Sequence, residues 1–367
     1  MRAFLILLAL FLLVSTTAFA GWTVTYLTPA GYDYADARGV SGGQQVGQSY
    51  RDGYPHAGFW RGSSGSWVDL TPAGCYSARA YGVYGGKQVG CSFSMANQGA
   101  PHAALWSGTA ASWVDLNPAG YTRSFGQGMS SNQQVGYVDS STAMHAGLWI
   151  GSAASFVDLN PAGCASSSAY AVSDGKQVGY AQPTGQNGHA ALWSGTAADW
   201  IDLNPSGYFA SNAYAVSGGK QVGYARRSAT PTYEHAGIWS GTAGSWVDIH
   251  PAGCNRSFAY GVAGNWQTGY VGGPATNNKW HASLWNGTAA SWSDLHGLLS
   301  SGYISSWAYG IEQTGSDLWV VGYAYQSDGV NQAILWHGTG VVPEPSSLLV
   351  FGSGILALAG MMRRRNG

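Results

Sequence analysis

A five-residue phrase, His-Ala-x-x-Trp, begins at His56, His102, His145, His189, His235 and His281, and a seventh copy, Gln332-Ala333-Ile334-Leu335-Trp336, has lost its histidine. Successive copies lie 43 to 51 residues apart. Recurrence at this period restricts a chain to a few repeat architectures, because each unit is one supersecondary element that buries its apolar face only against its neighbours. Each phrase follows a Gln-Val-Gly type segment, centred on Val46, Val89, Val135, Val178, Val222, Thr268 and Val321. Each of the first six precedes a Trp-Val-Asp-Leu type segment carrying Asp69, Asp115, Asp158, Asp202, Asp248 or Asp294. In the second unit, residues 78–83, 87–93, 102–106 and 112–116 read as four short strands separated by glycine turns. Four strands per unit match one blade of a β-propeller. A parallel β-solenoid has a shorter coil, and a sandwich does not repeat seven times.

The seventh unit stops after its third strand. The missing fourth is found near the other end of the chain, where residues 22–27 and the following Thr28-Pro29-Ala30-Gly31 match Trp113 to Leu116 and Asn117-Pro118-Ala119-Gly120. The sequence therefore predicts an all-β, seven-bladed β-propeller over residues 21–340, closed by its N-terminal strand. Closure also removes an unpaired strand edge, which would otherwise invite aggregation. A longer period runs inside the first. The residue after each corner glycine alternates Tyr32, Cys75, Tyr121, Cys164, Tyr208, Cys254, with Tyr303 as the seventh counterpart, as if a two-blade segment had been duplicated.

Residues 1–20 read as a secretory signal: Arg2, an apolar run over 4–14, and Ala18-Phe19-Ala20 as the small-x-small cleavage pattern, which places the mature start at Gly21. An N-terminal anchor is the alternative, but the run is shorter than the roughly 20 residues of a spanning helix. At the other end, a linker over 341–347 carries Pro343-Glu344-Pro345, and 348–367 holds an apolar stretch closed by Arg363, Arg364 and Arg365. The arginines should stay cytoplasmic and leave the rest outside the inner membrane. This order of motif, short transmembrane helix and basic end resembles the PEP-CTERM sorting signal. The resemblance implies transient insertion in the inner membrane and cleavage near the Pro-Glu-Pro by an exosortase, a membrane-embedded cysteine peptidase. It also implies export by a Gram-negative bacterium that makes exopolysaccharide. A plain C-terminal anchor is the alternative.

The units themselves resemble the extracellular HAF-family repeat, with its His-Ala-Phe-like strand ending in Trp, its Asp-Leu strand and its Gly-x-Val-Val-Gly strand. Here Ala or Gly usually replaces the Phe, as in His102-Ala103-Ala104-Leu105-Trp106. That resemblance implies an architecture and no particular activity.

Charged residues are 9% of the chain, against roughly 25% in ordinary soluble domains. Without Arg2 and the three tail arginines, 12 basic residues face 17 acidic ones, and no basic stripe offers a nucleic-acid footprint. Six His and six Asp copies could be read as metal ligands, but zinc needs its ligands within about 2.0 to 2.3 Å of one ion, and copies on different blades lie far apart. A cross-strand His–Asp hydrogen bond in each blade is the better reading. Catalysis should instead break the repeat. The off-repeat carboxylates Asp33, Asp36, Asp52, Asp139, Glu234, Glu312, Asp317 and Asp328 contain no pair flagged by spacing, and no nucleophile elbow, zinc-protease helix or phosphate loop occurs. No cofactor is called for. Of the four cysteines, Cys75 and Cys91 share a unit and are the pair a disulfide could join, while Cys164 and Cys254 stand in for tyrosine. The expectation is an exported, non-catalytic propeller that binds or scaffolds at the surface, with exopolysaccharide or a surface protein as partner. A secreted polysaccharide hydrolase or lyase is the alternative.

Overall fold

A computed structural model describes residues 21–139, 143–227 and 233–341. The signal segment with Ala18 and Ala20, the Pro343-Glu344-Pro345 motif and the apolar tail lie outside the described residues. Among those residues, no helix is long and apolar enough to cross a membrane.

Seven four-stranded antiparallel sheets follow one another along the chain. Blade 1 is Tyr34–Ser41, Gln44–Arg51, Tyr54–Trp60 and Val68–Asp69, in that spatial order. Blades 2 to 6 repeat the pattern. Blade 7 is built differently: Trp22–Tyr26 pairs antiparallel with Asn331–Gly338, which is followed by Asp317–Gln326 and Tyr303–Thr314. Its register runs from Trp22 opposite Gly338 to Tyr26 opposite Ile334. The ring is thus closed by the N-terminal strand.

The fourth strand is shorter than the sequence suggests. In blade 2 it covers Val114–Asp115, because Ala110–Ser112 forms one turn of 3-10 helix. Ser112 makes that turn: its hydroxyl donates to the Thr109 carbonyl at 2.6 Å and accepts from the Ser107 N–H at 2.8 Å. These local bonds draw the backbone away from the ladder.

The core lies between blades. One cluster joins Val46, Ala57, Phe59 and Leu70 of blade 1 to Ala78, Ala80, Val83 and Trp106 of blade 2, and six more repeat it around the ring. Trp60, Trp106, Trp149, Trp193, Trp239, Trp285 and Trp336 are fully buried, so the phrase that defines the repeat is the wedge between neighbouring blades. Buried glutamines staple the hairpins of blades 1 to 6. In blade 4 the Gln177 amide donates to the Gly175 carbonyl at 2.9 Å and accepts from the Gly195 N–H at 2.8 Å. Blade 7 has buried Val320 at the matching place, opposite Trp336.

The four cysteines are free thiols. Cys75 stands opposite Ser94 and Cys91 opposite Arg79, several rungs apart on one hairpin, so sharing a unit does not bring the two sulfurs together.

Candidate functional site

In all seven blades the innermost strand carries a bulge, and a glycine on the strand beside it allows the two backbones to approach there. A Cβ on Gly179 would lie 1.9 Å from the Ser168 carbonyl oxygen, and one on Gly90 would lie 1.8 Å from that of Arg79. The same holds at Gly47, Gly136, Gly223, Gly269 and Gly322. This close approach is the function of the glycine in each Gln-Val-Gly segment. The residue left unpaired by each bulge is Arg38, Tyr81, Gln127, Tyr170, Tyr214, Tyr260 or Tyr309. These seven residues line a cavity of about 410 Å³ in the bore.

Five tyrosines make this level of the bore nearly symmetric, and blades 1 and 3 break the symmetry. Tyr170, Tyr214, Tyr260 and Tyr309 run as a contiguous arc, with successive ring centroids 5.4, 4.2 and 5.1 Å apart. The Arg38 guanidinium continues the arc, 4.4 Å from the Tyr309 centroid. Asp36 grips Arg38 in a fork, with Nε donating at 3.1 Å and Nη2 at 3.3 Å, and it also accepts from Gln48 at 3.0 Å. Burial works against the guanidinium charge, but Asp36 and the neighbouring phenols hold Arg38 protonated. Burial also pushes Tyr81, Tyr170, Tyr214 and Tyr309 well above the ordinary phenol range, so they present neutral rings. The Gln127 side chain makes no hydrogen bond among the described residues, and Gln127 lines the cavity. One side of the cavity is therefore a continuous aromatic arc, and the other carries Gln127, Tyr81 and the compensated guanidinium of Arg38.

The off-repeat carboxylates are dispersed. Asp36 holds Arg38, Glu234 accepts from Arg256 at 2.5 Å, Asp139 pairs with Arg123 at 3.3 Å, and Glu312 accepts from the Gly42 N–H at 2.6 Å. Asp317 faces His337 at 3.5 Å, and Asp328 caps the turn at Val330. Asp33 follows a corner, and Asp52 occupies a left-handed turn position. No carboxylate is among the residues lining the cavity.

The repeated pairs lie away from the bore lining. His56, His102, His145, His189, His235 and His281 place Nδ1 2.7 to 2.9 Å from the paired aspartate Oδ2. The other aspartate oxygen accepts a backbone N–H two residues on, as Asp115 does from Asn117 at 2.8 Å, so the carboxylate shapes the corner leading to the next blade. Replacing His189 with Ala should cost about 1 to 2 kcal/mol, toward the lower end for a lost charge-assisted bond, because Asp202 is 40% exposed and can be rehydrated. Urea unfolding checks this, and ligand affinity corrected for stability should not change.

A second network was not read from the sequence. The Ser124 hydroxyl accepts from the Ala103 N–H at 2.9 Å and donates to the Asn117 side-chain oxygen at 2.7 Å, tying blade 3 to blade 2. Asn160 with Ser167 and Asn204 with Ser211 repeat this latch, and His250 with Ser257 and His296 with Ser306 vary it. At the two other seams Thr28 and Thr71 stand in the Asn place, and Ala35 and Ala78 stand in the Ser place. That paired change between units was the signal available in the sequence.

Residues 341–365 match the PEP-CTERM protein-sorting motif. This motif implies export with surface or extracellular sorting, and processing by an exosortase-type system. None of the curated proteins matches the chain. Among solved structures, a puromycin hydrolase is similar at 13% identity and a TM-score of 0.57, over 87% of this chain and 55% of that one. The β-propeller domain of the Trilobed protease from Pyrococcus furiosus, described as having an open velcro topology, is similar at 9% identity and a TM-score of 0.55, over 86% and 99% of the two chains. A puromycin-hydrolysing peptidase of Mycobacterium tuberculosis is 14% identical with a TM-score of 0.50, over 87% and 56%. The chain thus spans about half the length of the two puromycin-hydrolysing proteins. At these identities the likeness is one of fold.

Proposed function

We propose that this is an exported, non-catalytic propeller that binds glycan at the surface or in the surrounding matrix, holding one neutral sugar ring in the bore. The observation that carries this reading is the polarised cavity. An aromatic arc suits the apolar face of a pyranose, and Gln127 and Arg38 suit its hydroxyl edge. Asp36 compensates Arg38, so a charged ligand would lose hydration without finding a counter-charge. In this reading Ala18 and Ala20 precede the signal cleavage site, Pro343-Glu344-Pro345 is the exosortase motif, 348–367 is the transient membrane helix, and the HAF-like units supply the 21–340 scaffold.

Titration calorimetry of the purified exported protein with maltotriose, cellotriose and laminaritriose tests the proposal, with glucuronic acid and phenol as controls. At least one neutral trisaccharide should bind. Gln127→Tyr restores the residue found in five other blades, and it should weaken that binding about fivefold, the worth of roughly one hydrogen bond, with an unchanged Tm. Binding of phenol alone, or equal affinity in the variant, would overturn the assignment. A secreted hydrolase is the second reading, favoured by the two similar structures named for puromycin hydrolysis. Release of new reducing ends during the titration would support it.

A further inference from the structure

The latches between blades differ in one chemical respect. Where asparagine holds the seam, nothing in the latch titrates. At the seam between blades 5 and 6, His250 takes the place of asparagine, with Nδ1 2.7 Å from the Ser257 hydroxyl and Nε2 3.1 Å from the Cys254 carbonyl. A carbonyl can only accept, so Nε2 carries the proton. In a neutral ring Nδ1 is then an acceptor and receives the Ser257 O–H. The Ser257 oxygen in turn accepts the Ala236 N–H of blade 5 at 2.8 Å. His296 repeats the arrangement between blades 6 and 7: Nδ1 lies 2.9 Å from the Ser306 hydroxyl, the ring bonds the Tyr303 backbone, and the Ser306 oxygen accepts the Ala282 N–H at 2.9 Å.

We infer that these two seams form an acid-sensitive latch, so that acidification loosens blade 6 from blades 5 and 7 while the asparagine seams hold. Protonation puts a second N–H on Nδ1, pointing at a serine that must then give up its donor role. It also places the new charge flat against a second imidazole, because His250 stacks on His235 at 3.9 Å and 6°, and His296 on His281 at 4.0 Å.

The charged and titratable groups around each ring are few. His250 meets His235 from the third strand, with Asp248 and Cys254 on its own corner. His296 meets His281 from the third strand, with Asp294 and Tyr303 beside it. Each aspartate is engaged by the other histidine, His235 or His281, through Oδ2. Burial and the facing histidine depress both rings below the ordinary value of 6.5, outweighing the aspartates. The unfolded chain therefore binds more protons than the folded ring in the window below about 6.5, and stability falls as the pH drops through it.

The test is thermal unfolding of the full exported protein from about pH 7.5 to about pH 5, beside His250→Asn/His296→Asn, which installs the residue of the three asparagine seams. The native Tm should fall by several degrees more than that of the double variant. Hydrogen exchange on the unmodified protein gives an independent readout. At the acid end, after correction for intrinsic rates, the Ala236 and Ala282 amides should lose protection several-fold, while Ala103, Ala146 and Ala190 keep theirs. Parallel Tm curves, or equal loss of protection at all five amides, would overturn the inference.

Discussion

Removing residues 22–27 should unfold the ring or leave it barely stable, with a loss on the order of 5 kcal/mol or more. The six residues include fully buried Leu27, and Trp22, Val24 and Tyr26 pack on the core cluster between blades 6 and 7. A fully buried Leu alone is worth roughly 1.5 to 3 kcal/mol, and the antiparallel ladder to Asn331–Gly338 disappears with it. The deleted protein should also self-associate, because the last hairpin then presents a naked apolar edge. Thermal melts with sedimentation velocity check both outcomes. A synthetic peptide of sequence GWTVTYLT should restore part of the lost Tm. Unchanged unfolding of the deletion would mean that closure by this strand contributes nothing.

The second large effect is expected at the bulge glycines. Gly179→Ala should cost about 3 kcal/mol or more, the range of severe overpacking, because the new methyl meets the rigid Ser168 carbonyl at 1.9 Å. Gly244→Ala is the control. Its added Cβ meets nothing within 4 Å, and blades 2 to 4 and 6 have alanine at the matching position. That change should be neutral or stabilising by a few tenths of a kcal/mol through the unfolded chain. Equal losses in the two variants, measured by urea denaturation, would refute the close-approach account.

The blade count and the closing strand were legible because both rest on repetition, and a one-strand offset between the chain ends can be counted directly. The bore was not. Residues 78–83 look like an alternating strand, and alternation assigns each residue to one of two faces. The bulge at Tyr81 breaks that parity and presents a residue that belongs to neither face. The glycine at Gly90 was visible, but its reason was a carbonyl on another strand. Asp36 was singled out as a carboxylate off the repeat, whereas what it does depends on Arg38 two residues on and on Tyr309 from the neighbouring blade. The Cys75–Cys91 pair shows the same limit: co-residence in a unit says nothing of register, and here register separates them. Arg38 and Tyr309, which sit near opposite ends of the chain, become neighbours only when the ring closes.

The closing strand also has a consequence in time. Thr23 and His337 share a hydrogen bond across 314 residues of chain. Synthesis runs from the N-terminus, so Trp22–Tyr26 exists long before its partner Asn331–Gly338, and contacts of such long separation form slowly. Six blades can stack while the seventh is still three-stranded, so the final pairing is a late and separate event. The ring consequently reports on its own completeness. A chain cut short anywhere before Asn331 keeps Trp22–Tyr26 unpaired and open to proteases, and a full-length chain withdraws that same segment from reach. The strand that seals the ring thus also separates finished molecules from fragments.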